Sequence, residues 1–127
     1  MKWMALLALG TVAAAGGLAP QSADTLRNPV PYSKESIARG KGVYLPNCQL
    51  CHDEDGRARG SAIAVAADLT DPDRWKYGTS DGQIFSTIKN GGGDNMPPFK
   101  NDLKDQEIWD LVNFIRSIGP ESKRPQP

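Results

Sequence analysis

Cys48-Gln49-Leu50-Cys51-His52 (CQLCH) contains both cysteines and the only histidine of the 127-residue chain. Three chemistries use such a set at this spacing: a redox-active thiol pair, a zinc site, and attachment of a c-type haem through C-x-x-C-H. A thiol oxidoreductase of the thioredoxin type needs its C-x-x-C behind a strand in a βαβ unit, and no strand pattern precedes Cys48. Zinc needs four ligands, whereas Cys48, Cys51 and His52 make three, and adjacent residues are awkward to aim at one tetrahedral ion. Haem meets neither difficulty. Two thiols at i and i+3 reach the two vinyl groups on one side of the porphyrin, and His52 then lies beneath the iron as proximal ligand.

Outward from this motif the pattern is helix, loop, helix, loop, helix, with no convincing strand. The first helix begins at Ser33, whose hydroxyl caps free N–H groups, places Ile37, Gly40 and Tyr44 on one face, and is expected to stop at Pro46. The second opens in SDGQIF, where Ser80 and Gln83 have capping-box spacing, carries Ile84 and Ile88 on one side, and ends in NGGG, residues 90–93. The third starts with Asp105 and Glu107 and runs Ile108, Leu111, Val112, Ile115, Ile118 at core-facing spacing to Gly119-Pro120. Trp109 and Phe114 on that helix are expected in the core.

The N-terminus, MKWMALLALGTVAAAGGLA, has Lys2, an apolar run from Met4 to Ala15 and then small residues, the pattern of a secretory signal over residues 1–19 with cleavage between 15 and 23. Ala13 and Ala15 favour cleavage after Ala15, and Pro20 disfavours it after Ala19. The run is shorter than the roughly 20 apolar residues a membrane span needs, although an uncleaved anchor is the alternative. Export places the protein in an oxidising, periplasmic compartment, where an unprotected C-x-x-C closes into a disulfide or exchanges thiols. Residues 20–32 read as a linker, 33–119 as one small domain, and 120–127 as a disordered polar tail. About 39% of the chain is apolar and part of that leaves with the signal, so a buried prosthetic group would supply contact that the side chains lack. The formal charge is zero; loss of Lys2 makes it −1, which gives no reason to expect nucleic acid or an anionic membrane surface as partner.

Met96 is the second candidate ligand. Met1 and Met4 belong to the signal, leaving Met96 as the only thioether of the processed chain, in a loop rather than on an apolar helix face. Pro97 holds the residue before it in extended geometry, and Pro97-Pro98 stiffens a strap able to hold a weak sulfur ligand over iron. The bland alternative is a methionine filling a core gap.

GKGVYLPNCQLCH, the DEDG after it, NMPPF and the final helix EIWDLVNFIRSI together resemble the class I cytochromes c over Ser33 to Ile118. The stretch LTDPDRWKYG, residues 69–78, is similar to small bacterial members and to cytochrome domains attached to respiratory enzymes. The resemblance implies an all-α fold, three main helices and loops wrapped around one covalently bound haem c. It implies thioethers from Cys48 and Cys51, His52 and Met96 as axial iron ligands, and a close crossing of first and last helices at Gly40, with Tyr44 and Phe114 at the contact. Tyr44, Trp75, Tyr77 and Pro97 are expected in the haem pocket, Trp75 and Tyr77 as donors to a propionate, with Arg57 and Arg59 as weaker candidates. In one respect the chain departs from the family. No proline lies between Asp53 and Asp71 to offer its carbonyl to Nδ1 of the axial imidazole, so another carbonyl, within residues 61–68, is expected to orient the ring.

Two protein ligands leave the iron no open position, which points to electron transfer and not to catalysis. A monomeric carrier between a dehydrogenase donor and an oxidase or cytochrome acceptor is expected. A sensor of small gases with a displaceable sixth ligand, and a fixed cytochrome subunit of a dehydrogenase or oxidase, are the alternatives. The uncharged stretches 61–67 and 96–99 are expected to form an apolar docking patch.

Overall fold

The computed structural model describes residues 21–60 and 65–126. The expected signal, residues 1–19, and residues 61–64 of the expected patch lie outside the described residues, as does the expected cleavage window up to residue 20.

Among the described residues there are four α-helices: α1, Lys34–Asn47; α2, Gln49–His52; α3, Asp81–Asn90; and α4, Asp105–Ile118. Short 3₁₀ turns occur at Pro72–Arg74 and Glu121–Lys123. The three main helices and their starts match the sequence reading, because capping is local chemistry. The Ser33 hydroxyl accepts from the Ser36 N–H (3.1 Å), and the Ser80 hydroxyl accepts from the Gln83 N–H (3.2 Å). At α4 the Glu107 carboxylate accepts from the Lys104 N–H (2.8 Å). Among the described residues there is no strand, only an isolated antiparallel bridge between Gly92 and Met96.

Pro46 does not stop α1, which continues to Asn47. A proline costs the helix one hydrogen bond to the carbonyl four residues back, and here both Pro46 and Gly42 are exposed, where losing that bond costs least. The chain therefore runs from α1 directly into the one-turn helix of the CQLCH motif.

The core is the crossing of α1 on α4. At Gly40 a Cβ would meet the Asp110 carbonyl carbon at 2.7 Å and Phe114 Cβ at 2.8 Å, so only glycine lets the helix backbones approach this closely. Tyr44 stacks obliquely on Phe114 with ring centroids 4.9 Å apart. Arg39 grips the buried Asp110 carboxylate with two parallel bonds of 2.9 Å, a geometry suited to guanidinium. Trp109 and Phe114 are buried as expected, Trp109 stacking on Phe85 of α3 at 4.0 Å.

The segment read as a linker is a docked arm instead. Val30 is buried in the core, and Asn28 donates to the Asn113 side-chain oxygen (2.9 Å) and the Trp109 carbonyl (3.2 Å) of α4. Asn113, itself buried, donates to the Pro31 carbonyl (3.1 Å) and the Ser36 hydroxyl (3.0 Å). Buried amides need such partners, and these are drawn from residues about 80 positions away. The segment read as a disordered tail forms the second 3₁₀ turn, with Arg124 donating to the Gly119 carbonyl (3.0 Å).

Candidate functional site

The α1–α4 crossing delivers the CQLCH turn to one side of the core. Cys48 closes α1, its N–H bonded to the Tyr44 carbonyl (2.8 Å), and also begins α2. The N–H groups of Cys51 and His52 both return to the Cys48 carbonyl, at 3.2 and 3.0 Å. One helical turn therefore holds Cys48, Cys51 and His52 together. Burial, and to a lesser degree the neighbouring Cys51, pushes the Cys48 thiol up to about 12, so it stands as a neutral, apolar sulfur.

His52 is buried, and its Nδ1 lies 2.9 Å from the Ala67 carbonyl. A carbonyl acceptor fixes the proton on Nδ1 and leaves Nε2 with a lone pair. Among the described residues Nε2 has no hydrogen-bond partner. The acceptor falls in the stretch where sequence reasoning sought it, and no local signal singles out Ala67 from its neighbours.

Behind His52 the chain turns sharply. Asp53 has φ +62°, the left-handed region, and the buried Tyr44 hydroxyl donates to its carbonyl at 2.6 Å. Desolvation raises the Tyr44 phenol well above its ordinary value, so it remains a donor. Tyr44 thus sits within the helix crossing and pins the residue after His52. The Asp53 side chain in turn accepts from the Gly60 N–H (2.7 Å), closing the loop that follows.

Trp75 is half-buried against the core. Its indole N–H, the one donor it has, goes to the Asp68 carbonyl at 2.8 Å, so no hydrogen is left for a propionate. That bond ties the loop after Ala67 to the 3₁₀ turn at Pro72–Arg74. Burial would raise the Asp68 carboxyl, but the Thr70 hydroxyl at 2.6 Å and the Thr70 N–H at 2.8 Å hold it below the ordinary range, with help from Arg57 and Arg59. Both arginines are exposed, and Arg57 lies 3.8 Å from the Asp55 carboxylate.

Met96 lies on a loop built from backbone bonds. The Gly92 N–H donates to the Met96 carbonyl (3.1 Å) and the Met96 N–H to the Gly92 carbonyl (3.4 Å). Past the exposed Pro97 and Pro98, the N–H groups of Phe99 and Lys100 donate to the Ile88 and Lys89 carbonyls at 3.0 and 3.1 Å, fastening the loop to the end of α3. Met96, Leu69, Trp75, Phe99 and Leu103 are half-buried apolar side chains resting on the core. This donor and contact set fits haem c: two thiols on one turn, an imidazole oriented through Nδ1 so that Nε2 keeps its lone pair, a thioether on a strapped loop, and half-buried apolar side chains. Leu50, between the cysteines, is 86% exposed and Val65 is 61% exposed.

Residues 35–115 match the family described as "Cytochrome C oxidase, cbb3-type, subunit III". The chain is 34% identical over 85 residues to the cbb3-type cytochrome c oxidase subunit CcoP of Azospirillum brasilense, covering 64% of this chain and 28% of that protein. It is 35% identical over 86 residues to the cytochrome c subunit of the quinone alcohol dehydrogenase of Gluconobacter oxydans, covering 61% of this chain and 17% of that one. The chain thus spans less than a third of the length of either relative. Cytochrome cL of Methylophaga aminisulfidivorans superposes with a TM-score of 0.61 at 25% identity, over 72% of this chain and 59% of that one.

Proposed function

Because the chain belongs to the cbb3-type cytochrome c oxidase subunit III family and has haem c as its cofactor, we propose that it is an exported electron-transfer protein whose iron is ligated by His52 and Met96. The observation that carries this reading is the 2.9 Å contact of His52 Nδ1 with the Ala67 carbonyl, which orients the ring and leaves Nε2 as the coordinating nitrogen. When bound, haem c supplies a one-electron ferric/ferrous couple. Cys48 and Cys51 hold it through thioethers, and the α1–α2 junction sets their spacing. Ala67 raises the basicity of the imidazole through the shared Nδ1 proton. The Met96 thioether favours ferrous over ferric iron, which suits a carrier on the oxidising side of a respiratory chain. With His52 and Met96 as its ligands the iron would offer no open position to a substrate, and the chain would hold the couple in a fixed, apolar surrounding.

Exported, periplasmic placement rests on the signal-like residues 1–19; no described helix is long and apolar enough to cross a membrane. Its donor and acceptor are redox proteins of the dehydrogenase and oxidase type. A second reading, a fixed subunit and not a free monomer, is favoured because both relatives named above are subunits of larger enzymes. Co-purification of the native protein separates the two.

An absorption spectrum tests the ligation. The ferric protein should show the weak red band of thioether-to-iron charge transfer, the ferrous protein should resist CO, and Met96→Ala should abolish both properties. Rapid CO binding by the unaltered ferrous protein at neutral pH would turn the reading into that of a gas sensor.

A further inference from the structure

Tyr77 belongs to no helix and is 51% exposed, yet it lies against the turn that carries Met96. A Cβ built on Gly92 would sit 3.3 Å from Tyr77 Cε2 and 3.4 Å from Met96 Cβ, and one built on Gly93 would collide with the Tyr77 hydroxyl. Gly93 has φ +63° besides. A side chain at either position would crowd the ring as it lies, at Gly93 above all. Tyr77 itself is anchored at the opposite end of α3. Gly78, with φ +89°, packs against the Gln83 side chain, whose Oε1 accepts from the Thr79 and Ser80 N–H groups at 3.0 and 3.1 Å. The ring therefore joins the segment entering α3 to the segment leaving it.

The two sides of Met96 differ in stiffness. Pro97-Pro98 follows it, whereas Gly91, Gly92 and Gly93 precede it, and glycine loses more backbone freedom on ordering than any other residue. A neutral thioether is a weak ligand, so the cost of ordering that glycine run opposes its retention on iron. A ring covering two of the three glycines removes part of that freedom in advance.

We propose that Tyr77 is a positioning residue for Met96: its ring clamps the Gly92–Gly93 turn and so keeps the thioether at the iron. The proposal rests on the reading of Met96 as sixth ligand, and gives Tyr77 a role other than that of a propionate donor. The test uses the holoprotein and its Tyr77→Ala, Tyr77→Phe and Met96→Ala variants, with CO combination by the ferrous form, the ferric red band, and hydrogen exchange at the Gly92 and Met96 amides as readouts. Tyr77→Ala should keep its covalent haem but combine with CO about tenfold faster, and both amides should exchange about tenfold faster, as expected for loss of one side chain's packing. Tyr77→Phe retains the ring and should restore both rates to within about twofold of the unaltered protein. Unchanged CO combination in Tyr77→Ala, with or without faster exchange, overturns the proposal while the red band of the unaltered protein sustains the ligation. A red band absent from the unaltered protein, and a spectrum indifferent to Met96→Ala, overturns the ligation reading and the proposal with it.

Discussion

His52 and Met96 stand on regions of the molecule that are held in different ways. The His52 side is fixed by buried side chains: Tyr44 reaches from the α1–α4 crossing to the Asp53 carbonyl, and Ala67 meets the imidazole. The Met96 side is fixed by backbone, through the Gly92–Met96 bridge and the bonds from Phe99 and Lys100 to the end of α3. Buried side-chain locks are part of the core, so loosening them costs global stability. Backbone bonds on a half-exposed loop can open locally while the core stays folded. Damage near His52 should therefore be read in unfolding, and damage near Met96 in ligation.

Gly40→Ala should give the largest effect. Its Cβ would press on the backbone of Asp110 and on Phe114 Cβ, forcing α1 and α4 apart at a cost of about 3 kcal/mol or more. Gly42→Ala is the control, because nothing lies within 4 Å of a Cβ there, and helix propensity should make it neutral or stabilising by up to about 1 kcal/mol. Denaturant midpoints of the two holoproteins check this, and equal midpoints would break the account of the crossing.

Tyr44→Phe should cost about 1–2 kcal/mol, since the Asp53 carbonyl loses its buried donor while the ring still packs on Phe114. The ferric red band should be unchanged. A variant of normal stability with an altered band would reverse the comparison, because the His52 side would then act through ligation.

The smallest effect is one of pH. Asp68 has a carboxyl held below its ordinary 3.8 in the folded protein, by the Thr70 bonds against the opposing effect of burial. A depressed folded-state value means stabilisation that is complete above the unfolded carboxylate range and is lost as pH falls through the folded value. Thermal unfolding of Asp68→Asn should therefore match that of the unaltered protein more closely as pH drops toward 3. A gap that widens on acidification would show that the Thr70 bonds do not favour the charged carboxylate.

What could be read in advance and what could not divides along the reach of each interaction. CQLCH is a local pattern, complete within one turn; its residue types and spacing narrow the chemistry to three, and the missing strand before Cys48 and the missing fourth zinc ligand leave haem. Ser33 and Ser80 cap their helices through bonds that reach only three residues, and the α4 stripe repeats with the helical period, so the all-α fold was legible as well. Met96 could be singled out because it is the one thioether outside the signal-like segment and stands before two prolines. The Ala67 carbonyl could only be bounded to a stretch, since every residue offers the same acceptor and the path of the chain selects one. The partner of the Trp75 N–H was illegible for a similar reason: it is a carbonyl seven residues back, brought there by the turn at Pro72–Arg74. The arm at Asn28 and Val30 looked like a linker because its composition is polar and proline-rich, whereas its partners Trp109 and Asn113 lie on the far helix. Side-chain chemistry and short periodicities therefore determined the cofactor and the helices, while the tertiary fold alone chose among identical backbone groups, because that choice is made by distance in space and not by residue type.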